Sequence, residues 1–417
     1  MKAKYPLLYE WTLVLLVAGW MVFPNLNLIG LFLCILFLGV VVLGLFLKEL
    51  VFRPPGIFWG MWLFFPCYLL YSFNTSNTGD ALFGLEKKLS FVIFPLIFAF
   101  IPRFKVRITR IENGFLLALF AILGICYGNA LIAYQENQHD AAFWYSSHFS
   151  GLFHHPTYLS MYCAAGVYLL FTRLQQPSTL NLRLMFALGM GCLIYTHWHL
   201  ESLSGLLFLI LLCAVLFSMH LLKTKGWKVL LLFGGIGTLC LVLFVLSVPS
   251  LQRNLSDSVG FVRNYWKDPY TYTHTPRGEI RGNDVRLILW TASAEILREH
   301  PNGVGVGNLP VAMEAKLHEY GQVNLAKEGL NPHNQYLHTA VETGWIGMLW
   351  MIGLLVALVV YGWRNKAYLL VLVSCCFAFN GLFESVLERQ SGIVFWLLWS
   401  CLLLAFTQAL KFQQHEA

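Results

Sequence analysis

Apolar residues run in long stretches separated by short polar joints over most of this chain. They lie at about residues 7–23, 28–47, 57–73, 89–102, 113–134, 156–172, 184–199, 204–222, 228–248, 346–363, 367–383 and 393–410. A helix that crosses a bilayer needs ~20 such residues. Only helices or closed barrels satisfy their backbone groups in lipid. The pattern therefore predicts an all-α polytopic membrane protein with about twelve transmembrane helices. The fourth stretch is the shortest, and Lys87 and Lys88 at its start are expected to reach toward the membrane surface. The first follows Lys2 and Lys4 and lacks an Ala-x-Ala cleavage site, so it reads as an uncleaved helix.

One long polar interval breaks the series. It divides the chain into residues 1–248 with nine spans, a loop domain at 249–332, and residues 333–417 with three spans. Helical patterns cover Val285 to His300 and Pro310 to Tyr320. Leu287, Trp290, Ile296 and Leu297 alternate with charges in the first, which predicts a helix lying on the membrane surface or on the bundle. Asn302-Gly303-Val304-Gly305-Val306-Gly307-Asn308 reads as a flexible turn. It is not a dinucleotide fingerprint, because no strand precedes it and no βαβ unit surrounds it.

Composition agrees with a lipid environment. Of 417 residues, 58% are hydrophobic and 12% charged, and mean hydropathy is +0.63. The net charge of +7 does not point to nucleic acid, because its placement explains it. Alternate short loops hold sixteen of the 28 basic residues, from Lys2 to Lys411, whereas the opposite short loops hold only Lys87, Lys88 and Arg389. The positive-inside rule then puts both termini in the cytoplasm and the long loop outside. The ten cysteines all fall in apolar stretches and read as small buried hydrophobes.

The candidate chemistry gathers around the long loop. Asn331 and Pro332 read as an N-cap and a first-turn residue, with His333 in the first turn of a helix. A helix N-terminus disfavours the imidazolium, and a neutral imidazole suits a general base. A capping or packing histidine is the plainer alternative. His338 and Glu342 are four apart on one face, either supporting the site or simply stabilising the helix. Arg253, Arg263, Arg277, Arg281, Arg286 and Arg298 suit phosphate oxygens. The loop holds as many acids as bases, so the arginines are suggestive only. His148, His154 and His155 lead into the sixth span, and His197, His199 and Glu201 end the seventh. They show no helical pair with a clear third ligand, which disfavours a metal site. Glu384, Glu388 and Arg389 form the last outer turn, where Arg389 is expected to pair with one of the acids.

Several of these segments resemble the O-antigen ligase and polymerase superfamily of bacterial envelope glycan enzymes. Asp284-Val285-Arg286 through Trp290, followed by His300-Pro301-Asn302-Gly303-Val304-Gly305-Val306-Gly307-Asn308, resembles its arginine segment and glycine turn. His333-Asn334 with Glu342-Thr343-Gly344-Trp345-Ile346-Gly347 resembles its histidine motif. Ser150-Gly151-Leu152-Phe153-His154-His155-Pro156 resembles the segment before a middle span. The resemblance implies a GT-C-like membrane fold with a large periplasmic loop in the bacterial inner membrane. It implies an inverting, metal-independent glycosyltransferase that needs no cofactor and takes glycan from undecaprenyl pyrophosphate. His333 would deprotonate the acceptor and Arg286 would hold the pyrophosphate, with Arg263 and then Arg253 or Arg281 adding to the clamp. Family members often carry an arginine where this chain has Leu203 in Ser202-Leu203-Ser204-Gly205, so either another cation, Arg389 or a loop arginine, must substitute, or the donor contacts differ.

Three acceptors fit this donor chemistry. Lipid A-core would make the protein an O-antigen ligase. A second lipid-linked repeat unit would make it a polymerase, and a protein hydroxyl an oligosaccharyltransferase. A transporter or flippase is the reading from another class. It would place ionisable residues mid-span, and the chain offers only the isolated His220 near a span end.

Overall fold

A computed structural model describes residues 2–22, 27–73, 75–137, 140–143, 149, 154–224, 226–227, 249–276 and 284–416. The chain starts with α1 (Tyr5–Val22) and α2 (Asn27–Phe46), followed by strand β1 (Leu50–Phe52) and α3 (Ile57–Ser72). Next come α4 (Thr78–Lys88), α5 (Ser90–Phe98), strand β2 (Phe100–Pro102) and α6 (Ile108–Asn137). Then α7 (Pro156–Leu174), α8 (Leu180–His199) and α9 (Leu203–Thr224) follow. The loop domain supplies α10 (Pro249–Lys267), α11 (Pro269–His274), α12 (Asp284–Glu299), α13 (Leu309–Glu319) and α14 (Val323–Lys327). The chain ends with α15 (Gln335–Arg364), α16 (Tyr368–Asn380) and α17 (Gln390–Glu416).

Among the described residues, six helices are long and apolar enough to cross a membrane: Lys2–Val22, Ile29–Phe46, Ile108–Glu136, Leu203–Thr224, Gln335–Arg364 and Gln390–Gln414. The protein is a polytopic, almost wholly helical membrane protein. Ile57–Ser72 and Tyr368–Asn380 are shorter apolar helices. The ninth expected span, 228–248, lies outside the described residues. The fourth is not one helix. Amphipathic α4 ends at Lys88, and apolar α5 has nine residues, or about 14 Å of rise, too little to cross a bilayer. The chain leaves α5 into β2, which pairs antiparallel with β1 through Leu50↔Pro102 and Phe52↔Phe100. Hydropathy gave no sign of this small sheet, because three-residue strands carry too little alternation to register.

The core is built around α17. Trp396 and Trp399 on it are fully buried. Trp396 stacks on Phe377 of α16 at 4.1 Å between ring centroids, and Trp399 meets Phe115 of α6 edge-on. Aromatic pairs of this kind add to the burial of their area. A second core holds the loop domain together. Val285, Ile288, Leu289, Ala292 and Ile296 of α12 pack with Leu309, Met313 and Leu317 of α13 and with Val341 of α15. Their spacing of three and four residues makes one helical face, and that face rests on its own small core and on the start of α15.

Candidate functional site

His333 sits just before α15 and not inside its first turn, as Asn331 and Pro332 had suggested. Asn334 is the N-cap. Its Oδ1 accepts hydrogen bonds from Tyr336 N at 3.0 Å and Leu337 N at 3.1 Å, which satisfies two of the helix's free donors. Asn331 holds the turn instead. Its Oδ1 accepts from His333 N at 2.8 Å and from Ser385 Oγ at 3.2 Å. His333 has φ of 46°, a left-handed conformation that costs a non-glycine residue of order 1–3 kcal/mol. Trp290 Nε1 of α12 donates to Pro332 O at 3.0 Å, and Gln335 N donates to Gly381 O at 2.7 Å. The strained residue is thus held from the loop domain on one side and from the α16–α17 turn on the other.

Glu384 faces the ring. Its Oε1 lies 3.3 Å from His333 Nδ1 and accepts from Ser385 N at 3.3 Å. The His333 side chain is 33% exposed, and its Nε2 has no hydrogen-bond partner among the described residues. Burial pushes the Glu384 carboxyl up. The hydrogen bond from His333 and the charges of His333, His155 and Arg286 outweigh burial and hold it below the usual carboxylate range. Burial pulls the Arg286 guanidinium down, with Glu384 opposing. Burial also pulls the His155 imidazole down. Glu384 opposes this, while Arg389, His333 and Arg286 reinforce it.

His333, Arg286, His155 and Arg389 therefore share one electrostatic neighbourhood with Glu384. They come from the N-cap of α7, the first turn of α12, the approach to α15 and the α16–α17 turn. Arg263 does not join them. It is exposed on α10, and no contact among the described residues ties it to His333. Arg253 lies in α10 with its side chain outside what is described, and Arg277, Arg281 and His148 lie outside the described residues. Arg389 is exposed and is not the partner of Glu384 or Glu388 in the ion pairs of the described residues.

Beneath this group lies a buried ion network. Lys88 Nζ is 2.5 Å from Glu388 Oε1 and donates to Leu387 O at 3.0 Å, and Lys87 Nζ is 3.0 Å from Glu388 Oε2. His338 Nε2 lies 3.3 Å from Glu388 Oε1 and 3.7 Å from Glu342 Oε2. Burial pushes the Glu388 carboxyl up, but Lys88, His338 and Lys87 hold it far below the usual range. Lys88 is 1% exposed, so it does not reach for the membrane surface. Ligand atoms of His338, Glu342 and Glu388 fall within 4.8 Å of one another, a spacing able to hold a metal ion. The ammonium of Lys88 already supplies positive charge at that carboxylate.

The glycine turn is a clasp and not a flexible link. The backbone of α15 breaks at Gly344, with φ 65° and ψ −168°. Val304 N donates to Val341 O at 2.8 Å, Gly305 N to Glu342 O at 3.1 Å, and Trp345 N to Pro301 O at 3.3 Å. The broken helical bonds are thus replaced by bonds across the clasp, as buried backbone groups require. A Cβ on Gly303 would lie 2.5 Å from Gly344 N, and one on Gly344 would lie 2.6 Å from Pro301 O. Both glycines also have positive φ, so glycine is required at both. The glycines of the two motifs thus fix the frame that carries His338 and Glu342.

At the position of the missing family arginine, Leu203 is 54% exposed. Its neighbours have structural work. Ser202 Oγ accepts from Gly205 N at 3.3 Å, and a Cβ on Gly205 would strike Ser160 of α7. Residues 184–352 match the family model described as O-antigen ligase. The match spans Arg286, the glycine clasp, His333 and the helix break, and leaves out Glu384, Arg389 and His155. No curated protein sequence matches the chain. The family match supports the O-antigen ligase and polymerase superfamily and, with it, a membrane glycosyltransferase working on lipid-linked glycans.

Proposed function

We propose that this protein is an inverting, metal-independent glycosyltransferase that moves an O-antigen-type glycan from undecaprenyl pyrophosphate to a hydroxyl of lipid A-core. On this reading it is a GT-C-like, multi-pass enzyme of the bacterial inner membrane with cytoplasmic termini and a periplasmic active site. The observation that carries the reading is His333. Nδ1 faces Glu384, Nε2 is without a hydrogen-bond partner among the described residues, the charge of Arg286 acts on Glu384, and those of Arg286 and Arg389 act on the neighbouring His155.

With Nδ1–H donated to Glu384, Nε2 keeps its lone pair and takes the proton of the acceptor hydroxyl. The acceptor oxygen bonds to the anomeric carbon as the bond from that carbon to the pyrophosphate oxygen breaks. Attack from the opposite face inverts the centre. Undecaprenyl pyrophosphate leaves with the electron pair, and Arg286 and Arg389 face the charge it gains. Glu384 stabilises the imidazolium formed, in the manner of the aspartate in a serine-protease triad. Pyrophosphate is a good leaving group, so no general acid is needed. Arg389 takes the part that Leu203 cannot.

The test is transfer in reconstituted vesicles from a lipid-pyrophosphate glycan, with and without lipid A-core. Expected are transfer that needs lipid A-core, its loss in His333→Ala, and a donor KM raised roughly tenfold or more in Arg286→Ala, the scale of a hydrogen bond to a charged group. Unchanged transfer in His333→Ala removes this base. Chain growth without lipid A-core makes the protein a polymerase.

A further inference from the structure

The end of the bundle that carries both chain termini holds a cavity of about 580 Å³. It lies between the starts of α6 and α8, the ends of α7 and α17, and the α15–α16 turn. Its inner wall is apolar, with Leu182 and Phe186 from α8 and Leu403, Phe406 and Leu410 from α17. Its mouth is polar and carries Arg173, Lys366, Glu112 and Ser178.

The polar groups at the mouth are incompletely matched. Arg173 Nη2 is buried and makes no hydrogen bond among the described residues. Its closest carboxylate oxygen, Glu112 Oε2, is 3.6 Å away, beyond hydrogen-bond length. The buried Ser178 Oγ also lacks a partner among the described residues. Buried donors left without acceptors are uncommon and point to a missing group. Two cations against one carboxylate make the mouth positive, so the missing acceptor is anionic. A basic mouth over an apolar wall between transmembrane helices suits an anionic lipid headgroup with its chain.

We propose that this cavity binds an anionic phospholipid. The phosphate meets Arg173 and Lys366, Ser178 donates to a headgroup oxygen, and one acyl chain lies along α8 and α17. Free phosphate shares the headgroup chemistry but makes no use of the apolar wall. The proposal does not depend on the glycosyltransferase reading.

The test is native mass spectrometry of the full chain in detergent. The added ligands are phosphatidylglycerol, phosphatidylcholine of the same chains, or inorganic phosphate. The expected result is one phosphatidylglycerol retained at collision energies that strip phosphatidylcholine. Arg173→Gln and Lys366→Asn should each lower that retention roughly fivefold, the worth of one basic residue near a membrane surface. Glu112→Gln should raise it, because the competing carboxylate is gone. Leu403→Trp should lower it with every charge kept, because it fills the apolar wall. Equal retention of the two lipids overturns the proposal. So does displacement of phosphatidylglycerol by inorganic phosphate, which would mark a free-anion site. If Arg173→Gln fails to fold, unchanged retention in Glu112→Gln and Leu403→Trp overturns it.

Discussion

A histidine that acts as a base needs one ring nitrogen held and the other open, and Glu384 holds Nδ1 of His333 at 3.3 Å. Glu384→Gln keeps the shape and removes the charge that stabilises the imidazolium. On the proposed mechanism kcat falls by roughly 10²-fold or more while the acceptor KM changes little. Steady-state kinetics across pH will read this, and an unchanged kcat would leave Glu384 a purely structural residue. The same carboxyl makes stability depend on pH. Its folded pKa lies below the ordinary value, so its contribution is present above about 4.3 and is lost as pH falls through the folded value. The His155 imidazole is also lowered, so part of the loss begins below about 6.5. Thermal unfolding should therefore shift down on acidification, and less so in Glu384→Gln. At this scale His333 and Arg286 were legible, because each sits in a local motif. Glu384 was seen only as a neighbour of Arg389, because its true partner is 51 residues away. Asn331 and Asn334 are equally good caps by residue type, and only the three-dimensional tie of Asn331 to Ser385 decides between them.

At the scale of elements, the clasp between residues 301–308 and the break in α15 sets the frame of the site. Gly303→Ala and Gly344→Ala combine a positive φ with backbone contacts near 2.5 Å. Each should destabilise the protein by about 1 kcal/mol for the backbone conformation and about 1–3 kcal/mol more for the clash. Gly321→Ala has a positive φ and open space around its Cβ, so it should lose only about the first amount. Thermal unfolding of the three variants in detergent separates the two effects, and equal losses would deny the clasp its role. The Lys88–Glu388 pair joins α4 to the α16–α17 turn. Lys88→Met should cost ~3–5 kcal/mol by leaving a buried carboxylate without its main partner, and Lys88→Met with Glu388→Leu should recover most of it. A double variant as unstable as the single one would show that the lysine does more than neutralise Glu388. Two helices of the loop domain, α12 and α13, were legible from their apolar spacing, whereas α10, α11 and α14 were not. The clasp was not, because a run of glycines reads as flexible until its partner carbonyls are known.

For the whole molecule, composition and the length of the apolar stretches were enough to read a polytopic membrane protein. The fourth stretch, residues 89–102, holds the nine-residue α5 and the strand β2 instead of one helix of spanning length, a division that mean hydropathy alone does not register. The proposed sidedness rests on the loop charges. With native cysteines replaced, a membrane-impermeant maleimide applied outside intact cells or spheroplasts should label a cysteine at Gly321 and spare one at Gln413. The reverse pattern would invert the orientation. The break in α15 also bears on how the protein is made. In a straight helix, Val341 O would bond Trp345 N. In the finished protein each of these groups has moved to a partner in the segment 301–305. The segment can therefore enter the bilayer as an ordinary continuous helix, with no backbone group left bare. On the proposed topology the break would follow, when the loop domain folds outside the membrane and offers its own amides in exchange. Insertion and the shaping of the site would then be separate events, the second waiting on a domain that folds in water.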